Sequence, residues 1–413
     1  MLKNYFRISL RNLRRNKGYT VINILGLSMG IAICLLIFLV ISFESGFDNF
    51  HNNKSRIYRI LTEYHHADSK EIFYGRAVPF AFPPVIRSLK DVQESAPIFS
   101  DNDVQMVVPG AENNGSKKFK EEKGVFFTTP NFFKIFDFPL ISGSYESLAG
   151  PNNALITKSI AEKYFGNWKD AIGKTIRINN SFTVFTVKVN GVLADLPVNT
   201  GFPLKVVISY GTDFTNRFLH STDFDGTSSA NGCYVLLSPG ASESAFNREL
   251  IAYSKKMKSP ENKDVQVAQP LKEVHFDTQA GDYSGKTISR KLISGLWMIG
   301  AFILLIACVN FINLSTAQAV NRAKEVGVRK VLGSNKWQLK LQFLSETFLI
   351  VLTSIVLSLV LALIVLPYIN RLMELSIGVN SEIGLSVLLF LLITSVTVTL
   401  LAGFYPSIVL SGF

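Results

Sequence analysis

Residues 18–43 read GYTVINILGLSMGIAICLLIFLVISF, 26 positions without Asp, Glu, Lys or Arg. About 20 apolar residues at about 1.5 Å each cross the roughly 30 Å of bilayer hydrocarbon as a helix. Three further charge-free stretches clear that length: 292–321 (30 residues), 347–370 (24) and 383–413 (31). The longest such run elsewhere, 226–242, has 17 residues and is rich in Ser and Gly, the composition of soluble structure. A secretory signal has an apolar core of about 7–15 residues and a small-residue cleavage site. Val21 to Phe43 is far longer, and Glu44-Ser45-Gly46-Phe47 offers no such site. An uncleaved anchor is therefore expected.

Composition fits four spans. The 413 residues are 48% hydrophobic and only 18% charged, against roughly 25% charged in soluble domains. That argues against a disordered, collagen-like or wholly soluble chain, and three cysteines are too few for a disulfide framework. The net charge of +11 is local. Lys3, Arg7, Arg11, Arg14, Arg15 and Lys17 precede the first span without an acid. Arg322, Lys324, Arg329, Lys330, Lys336 and Lys340 lie after the second span with Glu325 alone. The connection after the third span holds Arg371, Glu374 and Glu382. Basic loops stay cytoplasmic, so 44–291 and 371–382 are expected outside. The outer region carries only +2, and the basic residues lie where anionic lipid attracts them. Nucleic-acid binding has no support.

The expected organisation is a membrane protein of four transmembrane α-helices in one-plus-three order. A large extracytoplasmic mixed α/β domain is inserted between the first and second. The divisions are 1–18, 19–43, 44–291, 292–320, 321–346, 347–370, 371–382 and 383–404. Leu2, Tyr5, Phe6, Leu10 and Leu13 recur at helical spacing beside arginines, which predicts an amphipathic helix over 1–18 on the inner membrane face. Gly26 and Gly30 form a G-x-x-x-G that permits close helix approach. Asn310 and Asn313, one turn apart in the second span, are expected to bond to neighbouring helices or to line a path. In the outer region, Thr183 to Val189 alternates as a strand that ends at the turn dipeptide Asn190-Gly191. Ser159 to Phe165 reads as a helix stopped by Gly166. The region's length permits two subdomains. Its one cysteine, Cys233, leaves no disulfide to form within it, since Cys34 and Cys308 lie in spans.

Several chemical signals fail. Gly173-Lys174-Thr175 ends like a phosphate-binding loop, but Trp168 stands where that motif needs a glycine. His65-His66 with Asp68 lacks a matched set of further metal ligands. No nucleophile-elbow signature accompanies the serines. No catalytic residue, metal or cofactor of the chain's own is expected.

The informative segment follows the second span: NRAKEVGVRKVLGSNK at 321–336, then QFLSE at 342–346. It resembles the cytoplasmic signature of FtsX-like ABC transporter permeases, R-x-x-E-[IV]-G-[VI]-[RK]-[KR]-x-[LIV]-G continuing to Q-x-x-x-E. Arg322, Glu325, Gly327, Arg329, Lys330, Gly333, Gln342 and Glu346 fall on its positions, with Lys324 beside them. The outer region is similar to the periplasmic core domain of the MacB type. That likeness rests on Ile57-Tyr58-Arg59, the run from Thr129 to Leu140 followed by Gly143, Ala161 to Gly166, Ile172-Gly173-Lys174 and Gly191 to Pro197.

The resemblance implies two mixed α/β subdomains on a helical stalk and a separate ABC ATPase that binds ATP and Mg. It also implies a second permease half or a homodimer, and a periplasmic adaptor or outer-membrane component. The signature residues would dock the ATPase, with the charged side chains making polar contacts and the glycines permitting close approach and a helix end. ATP-driven closure would then move the outer domain, which is mechanotransmission. The expected function is export of an amphiphilic substrate such as a peptide, antibiotic or lipoprotein. The alternative is a regulatory permease that switches an outer partner such as a cell-wall hydrolase or a sensor kinase. A receptor without an ATPase sits badly with the 322–346 signature. Relatives of this length continue past the Tyr405-Pro406 dipeptide into a basic tail, and the Met1-to-Tyr5 opening resembles that of longer two-half members. A partial chain is expected.

Overall fold

The computed structural model describes residues 11–65, 71–110, 115–321, 328, 331, 336–378 and 381–412. It divides into two compact units: one of residues 1–45 with 290–413, the other Gly46–Ser289.

Among the described residues, the first unit has four helices long and apolar enough to cross a membrane. They are α1 (Lys17–Ser45), α8 (Arg290–Asn321), α9 (Lys336–Leu372) and α10 (Ser381–Gly412). α1 buries Leu27, Ile31, Leu35 and Leu39, whereas α8 leaves Trp297, Phe302 and Ile306 exposed. α1 and α8 run antiparallel along a seam of small residues. A Cβ on Gly30 would meet the Ala307 Cβ at 2.7 Å, and one on Gly26 would meet the Asn310 amide at 3.6 Å. The G-x-x-x-G is thus a contact face, where missing side chains let dispersion act between backbones. Cys34 donates its S–H to the Gly300 carbonyl at 3.1 Å. Hydroxyls inside the helices turn back on their own carbonyls, Ser354 to Ile350 at 2.8 Å and Thr353 to Leu349 at 2.8 Å. Ser354, fully buried, also reaches the Ile24 carbonyl of α1 at 3.4 Å. α9 ends where Asn370 brackets Ile377, donating to its carbonyl (3.0 Å) and accepting its N–H (3.1 Å).

In the second unit, thirteen strands form one mixed sheet among the described residues. They are β1 (Ile57–His65), β2 (Ile72–Gly75), β3 (Val92–Asp101), β4 (Val104–Val108), β5 (Lys117–Glu121), β6 (Val125–Thr128) and β7 (Leu140–Gly143). The rest are β8 (Asn153–Thr157), β9 (Thr175–Asn179), β10 (Val184–Leu193), β11 (Val206–Ser209), β12 (Asn231–Leu237) and β13 (Val265–Pro270). The order is β13-β1-β12-β3-β6-β11-β8-β10-β9-β4-β5, with β2 on β1 and β7 on β10. Helices α2 (Phe82–Ile86), α3 (Phe132–Ile135), α4 (Lys158–Phe165), α5 (Asp213–Leu219), α6 (Glu243–Met257) and α7 (Leu271–Val274) cover it.

Both sheet faces are buried, so successive residues of one strand serve different cores. Phe127, Ala154 and Ile156 pack with Tyr164 and Phe214. Their strand neighbours Phe126 and Leu155 pack on the other face with Phe132, Phe136 and Phe202. α4 ends at Gly166, whose φ of +85° suits glycine. The Asn190-Gly191 pair corrects the sequence reading, because β10 runs straight through it. Its pairing with β8 slips between Val189 and Gly191, making a bulge rather than a turn. Gly191 is there because the Ser142 carbonyl and a Leu155 methyl each lie 2.8 Å from where its Cβ would stand.

The candidate coupling site and the polar anchors of each unit

Of the nine residues expected at the coupling site, Gln342 and Glu346 lie among the described residues. Arg322, Lys324, Glu325, Gly327, Arg329, Lys330 and Gly333 lie outside them, as do residues 1–10, His66 and Asp68. Val328 and Val331 are helical and 60% and 89% exposed. The sequence divided the coupling segment from the third span at 346/347, but α9 is continuous from Lys336. The stretch KWQLKLQFLSE contains neither Gly nor Pro to interrupt it.

The Q-x-x-x-E spacing places Gln342 and Glu346 one turn apart on one helix face, and both are buried. The Glu346 carboxylate accepts the Asn12 amide at 2.7 Å and the Gln342 amide at 3.4 Å. Residues 11–15 are helical, so the chain before α1 is tied to the start of α9 through one charge-assisted bond. Nearby in the chain, the Tyr19 and Ser315 hydroxyls lie 2.7 Å apart and join α1 to α8. Sequence reading found Glu346 but not Asn12, because their contact spans 334 positions. Asn310 and Asn313 are both exposed, and the Asn310 amide lies beside Gly26 of α1.

Among the described residues of the outer unit, Arg59 and Glu121 are buried and anchor it through charge-assisted bonds. Arg59 of β1 is 1% exposed and donates to the Gln269 side chain at 3.0 and 2.6 Å, to Asp277 at 3.4 Å and to the Gly281 carbonyl. It thereby fixes the segment leading out toward α8. Glu121 of β5 accepts from Lys163, from Lys205 at 2.7 Å and from the Tyr164 hydroxyl at 3.0 Å. Burial alone would raise its carboxyl, but these three donors hold it below the ordinary range. A cleft of about 630 Å³ opens beside Val108, Lys117, Phe165 and Lys174, and a groove of about 380 Å³ is walled by Pro83, Pro84, Pro97 and Pro130. Among the described residues no His, Cys, Asp or Glu group is arranged to hold a metal. His65 instead bonds Glu63 at 2.8 Å.

Residues 20–253 match the MacB-like periplasmic core domain family, and residues 297–413 match the FtsX-like permease C-terminal family. The pyoverdine export ATP-binding/permease protein PvdT of Pseudomonas fluorescens is 24% identical over 243 residues, which are 57% of this chain and 34% of PvdT. The chain thus spans about a third of that relative's length. A domain of a permease protein from Porphyromonas gingivalis aligns with a TM-score of 0.44 at 20% identity, covering 53% of this chain and 91% of that one. The periplasmic region of MacB from Actinobacillus actinomycetemcomitans aligns with a TM-score of 0.37 at 14% identity, covering 53% and 90%. A mixed α/β domain inserted after the first of four apolar helices, and two family matches that together span residues 20–253 and 297–413, lead to one assignment. The chain belongs to the MacB-like periplasmic core domain family and carries an FtsX-like permease C-terminal region.

Proposed function

We propose that the chain is the permease subunit of a mechanotransmission (type VII-like) ABC transporter in a bacterial cytoplasmic membrane, with its outer domain in the periplasm. A separate ATPase, binding ATP and Mg, docks on the 321–346 segment through Arg322, Lys324, Glu325, Gly327, Arg329, Lys330 and Gly333. Gln342 and Glu346 carry its motion into the third span. The chain pairs with a second permease half or another copy of itself, and works with a periplasmic adaptor or outer-membrane component. The work done is export of an amphiphilic substrate.

The observation that carries this reading is the Glu346 carboxylate, buried at the start of α9 and tied to Asn12. A buried carboxylate there costs desolvation, and a role in passing force between the N-terminal segment and α9 accounts for its presence. The pyoverdine export relative favours export over a purely regulatory role. Glu325→Lys and Gly327→Trp test the docking face by co-purification with the ATPase and by stimulation of its activity. Disrupting a buried interfacial charge pair costs about 2–5 kcal/mol, so Glu325→Lys should lose the ATPase, and Gly327→Trp should lose it by blocking close approach. Wild-type levels of both readouts would remove the segment from the coupling path. Topology is tested by single cysteines at Ser116 and Asn335 in a background lacking Cys34, Cys233 and Cys308. The first should react with an impermeant thiol reagent on intact spheroplasts, and the second only after lysis.

A further inference from the structure

The chain enters the outer unit at Gly46 and leaves it at Ser289, and the two arms meet. β1 pairs with β13 so that Tyr58 lies opposite Pro270. Phe47 of the incoming arm lies flat on His275 of the outgoing arm, ring centroids 3.5 Å apart and planes 10° from parallel. Around this stack sit Asp48, His51, His275 and Asp282, each at most 4% exposed. Asp48 accepts the Thr200 hydroxyl at 2.6 Å and the Gly201 N–H at 3.2 Å. Asp282 accepts the Ser284 hydroxyl at 2.8 Å and the Gly285 N–H at 2.7 Å, and His275 Nδ1 stands 3.8 Å from it. Both carboxylates converge on Gly201, where a Cβ would lie 3.1 Å from Asp48 Oδ2 and 3.5 Å from Asp282 Oδ2.

His51 has one tautomer open to it. Its Nδ1 accepts the Asp137 N–H at 3.0 Å and so carries no proton. The proton is on Nε2, which is buried without a hydrogen-bond partner and points at Asp48 Oδ1 across 4.0 Å. That gap is too long for a hydrogen bond. A buried donor and a buried acceptor thus face each other just out of reach.

We propose that this cluster is a proton-operated clasp: Asp48 takes up one proton, and its ionisation state sets whether His51, one turn further along the same arm, closes on it and whether its charge opposes that of Asp282 on the outgoing arm. Ionised Asp48 draws the His51 N–H across the gap. Protonated Asp48 does not, and it no longer repels Asp282 on the outgoing arm, which leaves the Phe47–His275 stack unopposed. The titratable and charged groups facing Asp48 are His51 on its own arm, His275 and Asp282 on the outgoing arm, and Tyr234 of β12, with Arg59 beyond it.

The electrostatics agree with the geometry. Burial, with the Asp282 charge adding to it, pushes the Asp48 carboxyl up to about 6 against the Thr200 and Gly201 bonds and the pull of His275. Burial pushes His51 down to about 4. Asp282 is held below its ordinary range in spite of burial by His275, Ser284 and Gly285. Among these three groups the first proton therefore goes to Asp48. With its folded value raised, Asp48 contributes stability that is full below 3.8 and lost as pH rises through about 6. His51, with its folded value lowered, contributes above 6.5 and loses that as pH falls through about 4. The two oppose each other, so the wild-type stability profile is nearly flat and the difference from a variant carries the signal.

The test is an infrared titration of the full chain in detergent, with Asp48→Asn beside it. A carboxylic-acid carbonyl band should grow with a midpoint near pH 6 and be missing in Asp48→Asn. The ratio of wild-type to variant unfolding constants should change about 100-fold between pH 7.5 and 4. Asp282→Asn removes the neighbouring charge and should move the midpoint down, which keeps the test decisive if Asp48→Asn folds poorly. Hydrogen exchange of the 46–51 and 275–285 peptides, corrected for intrinsic rate, should respond to pH in the wild type and not in Asp48→Asn. Absence of an Asp48-dependent band between pH 7.5 and 5, or a midpoint indifferent to Asp282, overturns the clasp.

Discussion

The two units differ in how much apolar bulk they leave uncovered: the outer unit buries its large rings, whereas α8 of the helical unit leaves several exposed. In the outer unit, Phe126, Phe132, Phe136 and Phe202 are almost fully buried, and water drives them together. In the helical unit, Trp297, Phe302 and Ile306 are exposed because lipid takes water's place. What specifies each unit therefore differs. The sheet is held by large rings and buried charge anchors. The helices are held by what is small or polar: the Gly30–Ala307 contact, the Tyr19–Ser315 pair and the Asn12–Glu346 bond. Apolar bulk locates a helix in the membrane, and these small and polar contacts add to the packing of α1's buried leucines and isoleucine in choosing its neighbours.

This contrast can be broken by substitutions that injure one unit and spare the other. The largest effect is expected from Arg59→Ala, which leaves Asp277 without its guanidinium and Gln269 without its donor. Breaking a buried pair costs about 3–5 kcal/mol. Denaturant unfolding should show the outer unit's transition shifted and the helical unit's unchanged. Gly30→Leu should do the reverse. Its side chain meets Ala307 where even a Cβ is too close, and overpacking costs about 1–3 kcal/mol. A lowered melting temperature in detergent, with the outer unit's protease resistance intact, is the expected reading.

Glu121→Gln is expected to be smaller still and dependent on pH. The wild-type carboxyl is held below its ordinary value of 4.5. Its contribution is therefore present at neutral pH and lost as pH falls through the lower folded value. Its lysine partners are 43% and 38% exposed, so solvent screens part of that contribution. The variant should be less stable than wild type at pH 7, and the gap should narrow below pH 4.5. Lys120→Ala marks the floor. It breaks a pair with Asp103 in which both side chains are about two-thirds exposed, and no change in unfolding midpoint is expected.

Reading the sequence succeeded where the signal is local. The four apolar helices follow from windows free of charge, and α4 from its Gly166 stop. It failed where a residue's role depends on distant chain. Asn190-Gly191 has the composition of a turn, yet β7 and β8 flank it and make it a bulge. The sheet order joins β1 to β12 and β13, strands separated from it by most of the domain. Asp48 and Asp282 lie more than two hundred positions apart, and neither has a motif around it. Residue type says that a carboxylate is present, but only the fold says that two of them share one buried corner.

The continuity of α9 has a mechanical consequence. Its 37 residues make a single rod about 55 Å long, with Pro367 placed in the last turns rather than midway. Hydrogen-bonded helix resists bending over that length far better than a jointed pair of segments would. A displacement applied near Trp337 would reach the far end almost undiminished, as along a pushrod. The proline loosens only the tip, where Asn370 clamps the following loop. A hinge introduced by Gly-Gly at residues 345 and 346 would absorb such a displacement before it reached the far end.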